Sequence, residues 1–562
     1  MDADRPWLAK YPVDVDWFAP IEPSSLPDML ARAGRLFGDR PAFDFFGRKT
    51  SWAAAAAAAE RIAAGLQALG LPPGSRIGLL LPNCPAYPLM FFGVLRAGFV
   101  VVNFNPLYSD HELQVQARDA EVAAMATLDL ASLYPKAARL LEAGLIARIV
   151  VCPFAPMLPR AKGLAMRVLK RRDLVRPPRD ARHVWLSDLL ATSAKPAPVA
   201  IDPETDLAVL QYTGGTSGMP KGAMLSHANL SANAAQAVAW FHTTQPGQER
   251  ILAALPFFHV FALTCVMLFA VRSGAEIVML PRFVLADAIA TILRTRATYM
   301  AGVPTMYNAI ARFKGRADLS SIRYCISGGA PLPVEIKARF EARTGCTVVE
   351  GYGLTESSPI VTANPVTGEN RAGTIGMPLP LTELQLRDPA DPGSRVEIGV
   401  RGEVCVRGPQ VMLGYWRRPA DSADTLTPDG WLRTGDIGTM DADGYFSIVD
   451  RIKDLILCGG YNVYPRTVEE AIYRHASVAE VTVIGVPDEY RGETVKAFVV
   501  RRPGETLTEA ELLAFLRDWL SPVELPRHVE FRDTLPKTLI GKLSKKELIA
   551  EEAARRQTQT SV

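Results

Sequence analysis

The chain has 562 residues, 48% apolar and 22% charged, with 62 basic against 59 acidic residues and a formal charge of +3. That length exceeds one comfortable hydrophobic core, so two or more domains are expected, and the near-balanced charge gives no global field for nucleic acid. Seven cysteines lie far apart with no CxxC pair or Cys/His cluster, and their odd count argues against a disulfide framework and for a reducing compartment.

From the N-terminus, MDADRPWLAKYP carries early acids and no apolar core, unlike a secretory signal. Ala53–Ala59 is low in complexity, but with the stretch through Gly70 it reads as a plain helix. Short apolar runs ending in turn residues then recur: RIGLLLPN (76–83), FVVVNF (99–104), LAVLQYTGG (207–215), EIVML (276–280), IRYCISGG (322–329) and TVVEGYG (347–353). Separated by helix-length segments, they predict parallel strands with helical crossovers, hence an α/β fold.

Between them, residues 160–182 carry nine Arg/Lys against two Asp. Ala161, Leu164, Ala165, Val168 and Leu169 fall at helical spacing, which fits either a solvated helix or a basic amphipathic one that meets a membrane surface. Ile251–Val271 is apolar, but Pro256 and His259 interrupt it, so it suits a buried core helix rather than a bilayer span. Around 378–430 the texture turns to short strands and turns, a small β-rich subdomain. A last unit begins near Asp450. It runs through a helix at TVEEAIYRH, strands at VTVIGVPD and TVKAFVV, and a helix at EAELLAFLRDWL. About 110 residues are enough for a separate α+β domain.

The most chemically pointed segment is Tyr212–Gly222, YTGGTSGMPKG, which follows a strand. Glycines let backbone N–H groups close around phosphate oxygens, hydroxyls add donors, and Lys221 supplies charge. The spacing is not that of a Walker A loop. Downstream come LPFFHVFAL (255–263), SGGAPLP (327–333), EGYGLTESSP (350–359), GEVCVRGPQVMLGYW (402–416), GWLRTGDIG (430–438), VDRIKDLILCGGYNVYP (449–465) and LPKTLIGKL (535–543). In this order and spacing the chain resembles the adenylate-forming superfamily of acyl-CoA synthetases, luciferases and adenylation domains, over about residues 25 to 550. Its wording is most similar to that of bacterial long-chain fatty-acid–CoA ligases.

The resemblance implies a large N-terminal domain (1–450) of parallel-rich sheets with helices and a β-rich subdomain, then a small mobile C-terminal domain (451–562). It implies that ATP and a carboxylic acid form an acyl-adenylate, which coenzyme A then captures. Thr213, Gly214, Gly215, Thr216, Ser217, Gly218 and Lys221 would cradle phosphate. Gly328, Gly329, Ala330, Tyr352 and Gly353 would meet the adenine. Asp436 and Arg451 would hold the ribose, and Thr355 the α-phosphate. Glu356, completed by Thr213, would bind Mg²⁺. Lys542, rather than Lys537, would reach the carboxylate and α-phosphate, as a mobile point charge on a long stem can. His259, Val260, Val303, Gly459 and Gly460 would line the acyl site and thiol tunnel, with the hinge at Lys453. The acid's carboxylate is ionised at neutral pH, so His259 is expected to bind or gate rather than act as a base.

Alternatives stay open at this level: a dicarboxylate–CoA ligase, an acyl-AMP ligase loading a carrier protein, a luciferase-like oxygenase, or an inactive binding protein. Only 45 residues separate Glu356 from Gly402, which leaves little space for the insertion typical of acyl-AMP ligases. Glu356, Asp436, Arg451 and Lys542 are all present, against an inactive protein. A cytoplasmic location, with peripheral membrane contact through 160–182, and a homodimer complete the expectations.

Overall fold

The computed structural model describes residues 5–213, 220–458, 461–488, 490–538 and 542–560. Two large sheets carry the first part of the chain. One has seven strands in the spatial order His183–Trp185, Arg148–Cys152, Val122–Leu128, Arg76–Leu80, Val100–Asn103, Leu207–Tyr212, Gly222–Ser226. All its pairings are parallel except the last, between Leu207–Tyr212 and Gly222–Ser226. The second has nine strands. Its parallel centre joins Thr347–Gly353, Tyr324–Ser327, Tyr299–Gly302, Arg250–Ala253, Glu276–Met279 and Pro41–Phe45, with antiparallel strands at both edges. Near-continuous apolar strands are what parallel sheets covered by helices require. Helices Trp52–Gln67 and Ala86–Arg96 pack on each other, where Gly93 lets the Ile62 side chain approach.

A third, antiparallel sheet takes Glu383–Arg387, Gly402–Arg407, Leu432–Met440 and Phe446–Arg451. The β-rich subdomain expected over 378–430 therefore runs on to Arg451. The reason is that Leu432–Met440 and Phe446–Arg451 complete its ladder, and Pro419–Thr425 within it is a short helix. A fourth sheet holds Tyr461–Val463, Ile456–Cys458, Gly492–Arg501, Val478–Asp488 and His528–Arg532, with its own apolar cluster around Val468, Ile472, Val483, Val495 and Leu512. The predicted helix–strand–strand–helix order is found there, as Pro465–Tyr473, Val478–Asp488, Gly492–Arg501 and Glu509–Leu516.

The apolar stretch 251–271 becomes a buried strand and helix. After Val260–Ala262 the helix widens to i→i+5 hydrogen bonding over Leu263–Leu268 before Phe269–Ser273. Such a bulge commonly accompanies a functional site. No helix among the described residues is long and apolar enough to cross a membrane.

Candidate active site

The site gathers at the C-terminal ends of the central strands of the nine-stranded sheet, where open α/β sheets place ligands. Thr347–Gly353 delivers Tyr352 and Gly353, and the chain then turns through a 3₁₀ turn at Thr355–Ser357 that carries Glu356. A Cβ at Gly353 would stand 1.9 Å from the Pro359 carbonyl oxygen, so only glycine allows this crossing.

The segment Met412–Trp416 zips this turn to the strand Gly222–Ser226. Met412 N–H donates to the Glu356 carbonyl at 2.8 Å, Leu413 N–H to Met224 at 3.0 Å, and Trp416 N–H to Gly222 at 2.8 Å. The Tyr415 hydroxyl donates to Glu356 Oε1 at 2.6 Å. Lys221 Nζ lies 5.2 Å from the centre of the Tyr415 ring and 2.5 Å from Asp421 Oδ1. The backbone N–H of Thr213 donates to the Lys221 carbonyl at 2.9 Å, closing the base of the loop. Gly214, Gly215, Thr216, Ser217 and Gly218 lie outside the described residues, as do Gly459 and Gly460.

In the third sheet, Asp436 is 3% exposed and stands opposite Arg451 in the antiparallel ladder. Its two oxygens accept from the Tyr352 hydroxyl at 2.5 Å and from Arg451 Nε at 2.9 Å. Burial, then the Asp436 charge, pushes the Tyr352 phenol far up, so it stays a donor. Gly328 N–H donates to the Gly302 carbonyl, and the Phe261 ring rests against Gly328. Ala330 is part-buried beside them.

Lys542 comes in from the fourth sheet's side of the chain and lies on Gly329. A Cβ built there would sit 2.5 Å from Lys542 Cε, 3.0 Å from its Nζ and 3.8 Å from Val303 Cγ1. Gly329 has φ 79°, so glycine serves both the turn and the lysine's passage. Burial, then the nearby Arg451 guanidinium, draws Lys542 down to about 8, against the pull of Asp436. Lys537 is turned away, paired to Glu480 at 2.6 Å.

His259 caps the helix at Val260–Ala262, its Nδ1 accepting from Phe261 N–H at 3.3 Å. Nε2 therefore carries the proton. Burial, then the Lys542 charge, lowers its pKa to about 3, which keeps the ring neutral. Val260 and Val303 are buried beside these groups. Lys453 falls in a 3₁₀ turn, Ile452–Asp454, between the third and fourth sheets; Arg451 and Lys453 both lie within electrostatic reach of Glu356.

Most residues singled out from the sequence thus converge. Others were not singled out. Tyr415 and Asp421 partner Glu356 and Lys221, and the sequence signal was that Tyr415 is the penultimate residue of the GPQVMLGYW motif. Beneath His259, Asn83 bonds the backbone of Leu255 and Phe257, Tyr87 the Phe257 carbonyl, and Gln211 the Phe258 carbonyl, while Asn103 links Tyr87 to Gln211. This buried network fixes the LPFFH loop between the two large sheets.

No group of three or more His, Cys, Asp or Glu side chains able to hold a metal occurs among the described residues. A lone carboxylate facing a polyphosphate is nevertheless what Mg²⁺ uses, since it keeps waters and shares substrate oxygens. Glu356, with one oxygen engaged by Tyr415, fits that limited demand.

Residues 30–416 match the AMP-binding enzyme family and residues 467–542 the AMP-binding enzyme C-terminal domain. The chain is 42% identical to a long-chain-fatty-acid–CoA ligase of Bacillus subtilis (strain 168), covering 98% of this chain and 99% of the relative. It is 40% identical to one of Yersinia pestis, over 98% of each. Among solved structures, ATP-bound MatB from Rhodopseudomonas palustris superposes with TM-score 0.81 at 31% identity, covering 93% of this chain and 98% of that one. The anthranilate CoA ligase AuaEII in complex with anthranoyl-AMP superposes at 0.83 with 26% identity, covering 95% and 98%. With both family models matched in order and near-complete relatives at such identity, the chain belongs to the adenylate-forming AMP-binding enzyme family.

Proposed function

We propose that the protein is an AMP-forming fatty-acid–CoA ligase acting on medium- or long-chain acids. The observation that carries the reading is Lys542 lying against Gly329, with Arg451 and Asp436 near enough to tune its charge. A fatty carboxylate must attack the α-phosphate of ATP, so two anions have to be brought together, and a preorganised cation is what that demands. The carboxylate oxygen bonds to phosphorus as pyrophosphate leaves; the CoA thiol then attacks the acyl carbon and AMP departs. Asp436 accepts from the ribose hydroxyls, Tyr352 lies along the adenine, and Thr355 and Thr213 donate to phosphate. A bound Mg²⁺, held through Glu356 and completed by Thr213, would offset charge on the phosphates. His259 and Val303 border the carboxyl end of the acyl site. The chain divides at 450/451, and the part after it turns about Lys453 between the two half-reactions.

Pyrophosphate release that requires fatty acid, and AMP formed in step with acyl-CoA, are expected. ADP as product would sink the mechanism. A panel of acids from acetate to oleate, with dicarboxylates, separates this reading from a dicarboxylate ligase, and omission of CoA separates it from an acyl-AMP ligase.

The helix Arg160–Leu169 supports a second, narrower reading, peripheral contact with an anionic membrane. Leu164, Val168 and Leu169 are 65%, 61% and 81% exposed, and Lys170, Arg171 and Arg172 follow directly. Each basic residue at such a surface contributes about 1 kcal/mol, falling with salt. Flotation with anionic vesicles should weaken when Leu164 and Leu169 are changed to Ser and the three basic residues to Glu; unchanged flotation ends the idea.

A further inference from the structure

Asp450 is 5% exposed and sits in the strand Phe446–Arg451, tied by Ile437 to the third sheet, before the turn that carries Lys453. Its carboxylate nonetheless faces groups that come after that turn. Asp450 Oδ2 accepts from the Arg466 N–H at 2.8 Å, in the first turn of the helix Pro465–Tyr473. Oδ1 accepts from the neighbouring Arg451 N–H at 2.8 Å. Lys545, three residues beyond Lys542, brings its ammonium to the same place, 3.7 Å from both Asp454 Oδ2 and Glu469 Oε1. Burial opposes the Lys545 charge, but Glu469, Asp450 and Asp454 together outweigh it and hold it protonated. Asp450 in turn is raised by burial, and Lys545 is the strongest influence against that rise.

Glu469, Asp454, Arg466 and Lys545 all follow Lys453 in the chain, whereas Asp450 precedes it. A rotation about Lys453 carries the first four together and separates them from Asp450. A buried carboxylate that loses its donors is costly unless it reaches water, so these contacts favour one orientation only. That orientation is the one in which Lys542 lies on Gly329.

We infer that Asp450, through the Arg466 N–H, forms a latch across the hinge, with the Lys545 ammonium, itself held by Asp454 and Glu469, as a positioning charge beside it; the latch holds Lys542 in place for adenylation and lets go for thioester formation. The inference rests on the proposed adenylating role of Lys542. Less of the enzyme then occupies the adenylating orientation when the latch is removed, and the rate falls by that fraction.

The test uses the full-length enzyme and two measurements: single-turnover pyrophosphate release, and thioester formation from synthetic acyl-AMP and CoA. Asp450→Ala and Lys545→Met should slow the first roughly 10- to 100-fold and leave the second unchanged or faster. Lys545→Arg should restore most of the first, and the double variant should be no slower than the worse single one, since Lys545 acts through Asp450. A misfolded fraction lowers both measurements alike, so the ratio of the two reads the latch itself. Equal slowing of both steps, or an unchanged ratio with Lys542→Ala still defective in adenylation, overturns the latch alone. Normal adenylation by Lys542→Ala overturns the reading beneath it.

Discussion

The Tyr415 hydroxyl and Glu356 Oε1 stand 2.6 Å apart, joining the end of one sequence motif to the centre of another 59 residues earlier. A carboxylate meant to hold a cation needs its other oxygen free and its plane fixed, and a phenol donor supplies both. The phenol remains protonated because burial, then the Glu356 charge, pushes it far up. Tyr415→Phe should therefore lower kcat about 10- to 100-fold and raise the Mg²⁺ concentration needed for half-maximal rate. Glu356→Ala should do worse on both. A Tyr415→Phe variant with an unaltered Mg²⁺ response would show that the contact is only structural.

Lys542 yields a pH prediction whose sign follows from its surroundings. Burial and Arg451 depress it to about 8, so the free enzyme loses the cation as pH rises through that value. Adenylation at limiting ATP should fall on the alkaline side near pH 8, and saturating ATP should move the fall upward by supplying negative charge. Lys542→Ala should be slower by roughly 10²–10³-fold and lack that limb. His259 sits at about 3, so no limb near pH 6 should come from it.

Asp436 offers a substrate-side test. Its carboxylate is aligned by Tyr352 and Arg451, and hydrogen bonds from ribose to a charged acceptor are worth about 1.5–3 kcal/mol. Asp436→Asn should raise the KM for ATP and shrink the penalty for 2′- or 3′-deoxy-ATP. An equal penalty in both enzymes would place the ribose elsewhere.

Glu350 is buried beneath the Gly328–Leu332 loop, where one of its oxygens accepts from Leu332 N–H at 3.0 Å. Burial raises it to about 7, against the pull of that bond and of Arg466. A carboxyl raised on folding costs nothing well below pH 4.5; as pH climbs from there toward 7 the unfolded chain ionises while the buried group stays neutral, and the fold weakens. Glu350→Gln keeps the acceptor and removes the charge. Its stability relative to the parent should improve by roughly 3 kcal/mol between pH 5 and pH 8, read as a growing rise in Tm. A pH-independent difference would show that Glu350 is not raised.

The sequence determined the chemistry and much of the order of elements. Strands 76–80, 100–103, 207–212 and 347–353 were legible because parallel strands buried on both faces read as continuous apolar runs. Val122–Leu128, sequence VAAMATL, escaped because alanines suit helix and strand alike when packing decides. Glycines, hydroxyls and single charges at family spacing marked the phosphate loop, Glu356, Asp436 and Lys542, since those roles depend on residue type. Tertiary structure alone decided the partners: Tyr415 for Glu356, Asp421 for Lys221, the Asn83–Tyr87–Gln211 network under His259, and Arg466 N–H for Asp450 across the hinge. These pairs are up to about two hundred residues apart in the chain, and a hydrogen bond leaves no periodicity in the sequence to betray it. Of the two lysines, Lys542, the one the family spacing favours, lies against Gly329, whereas Lys537 pairs with Glu480.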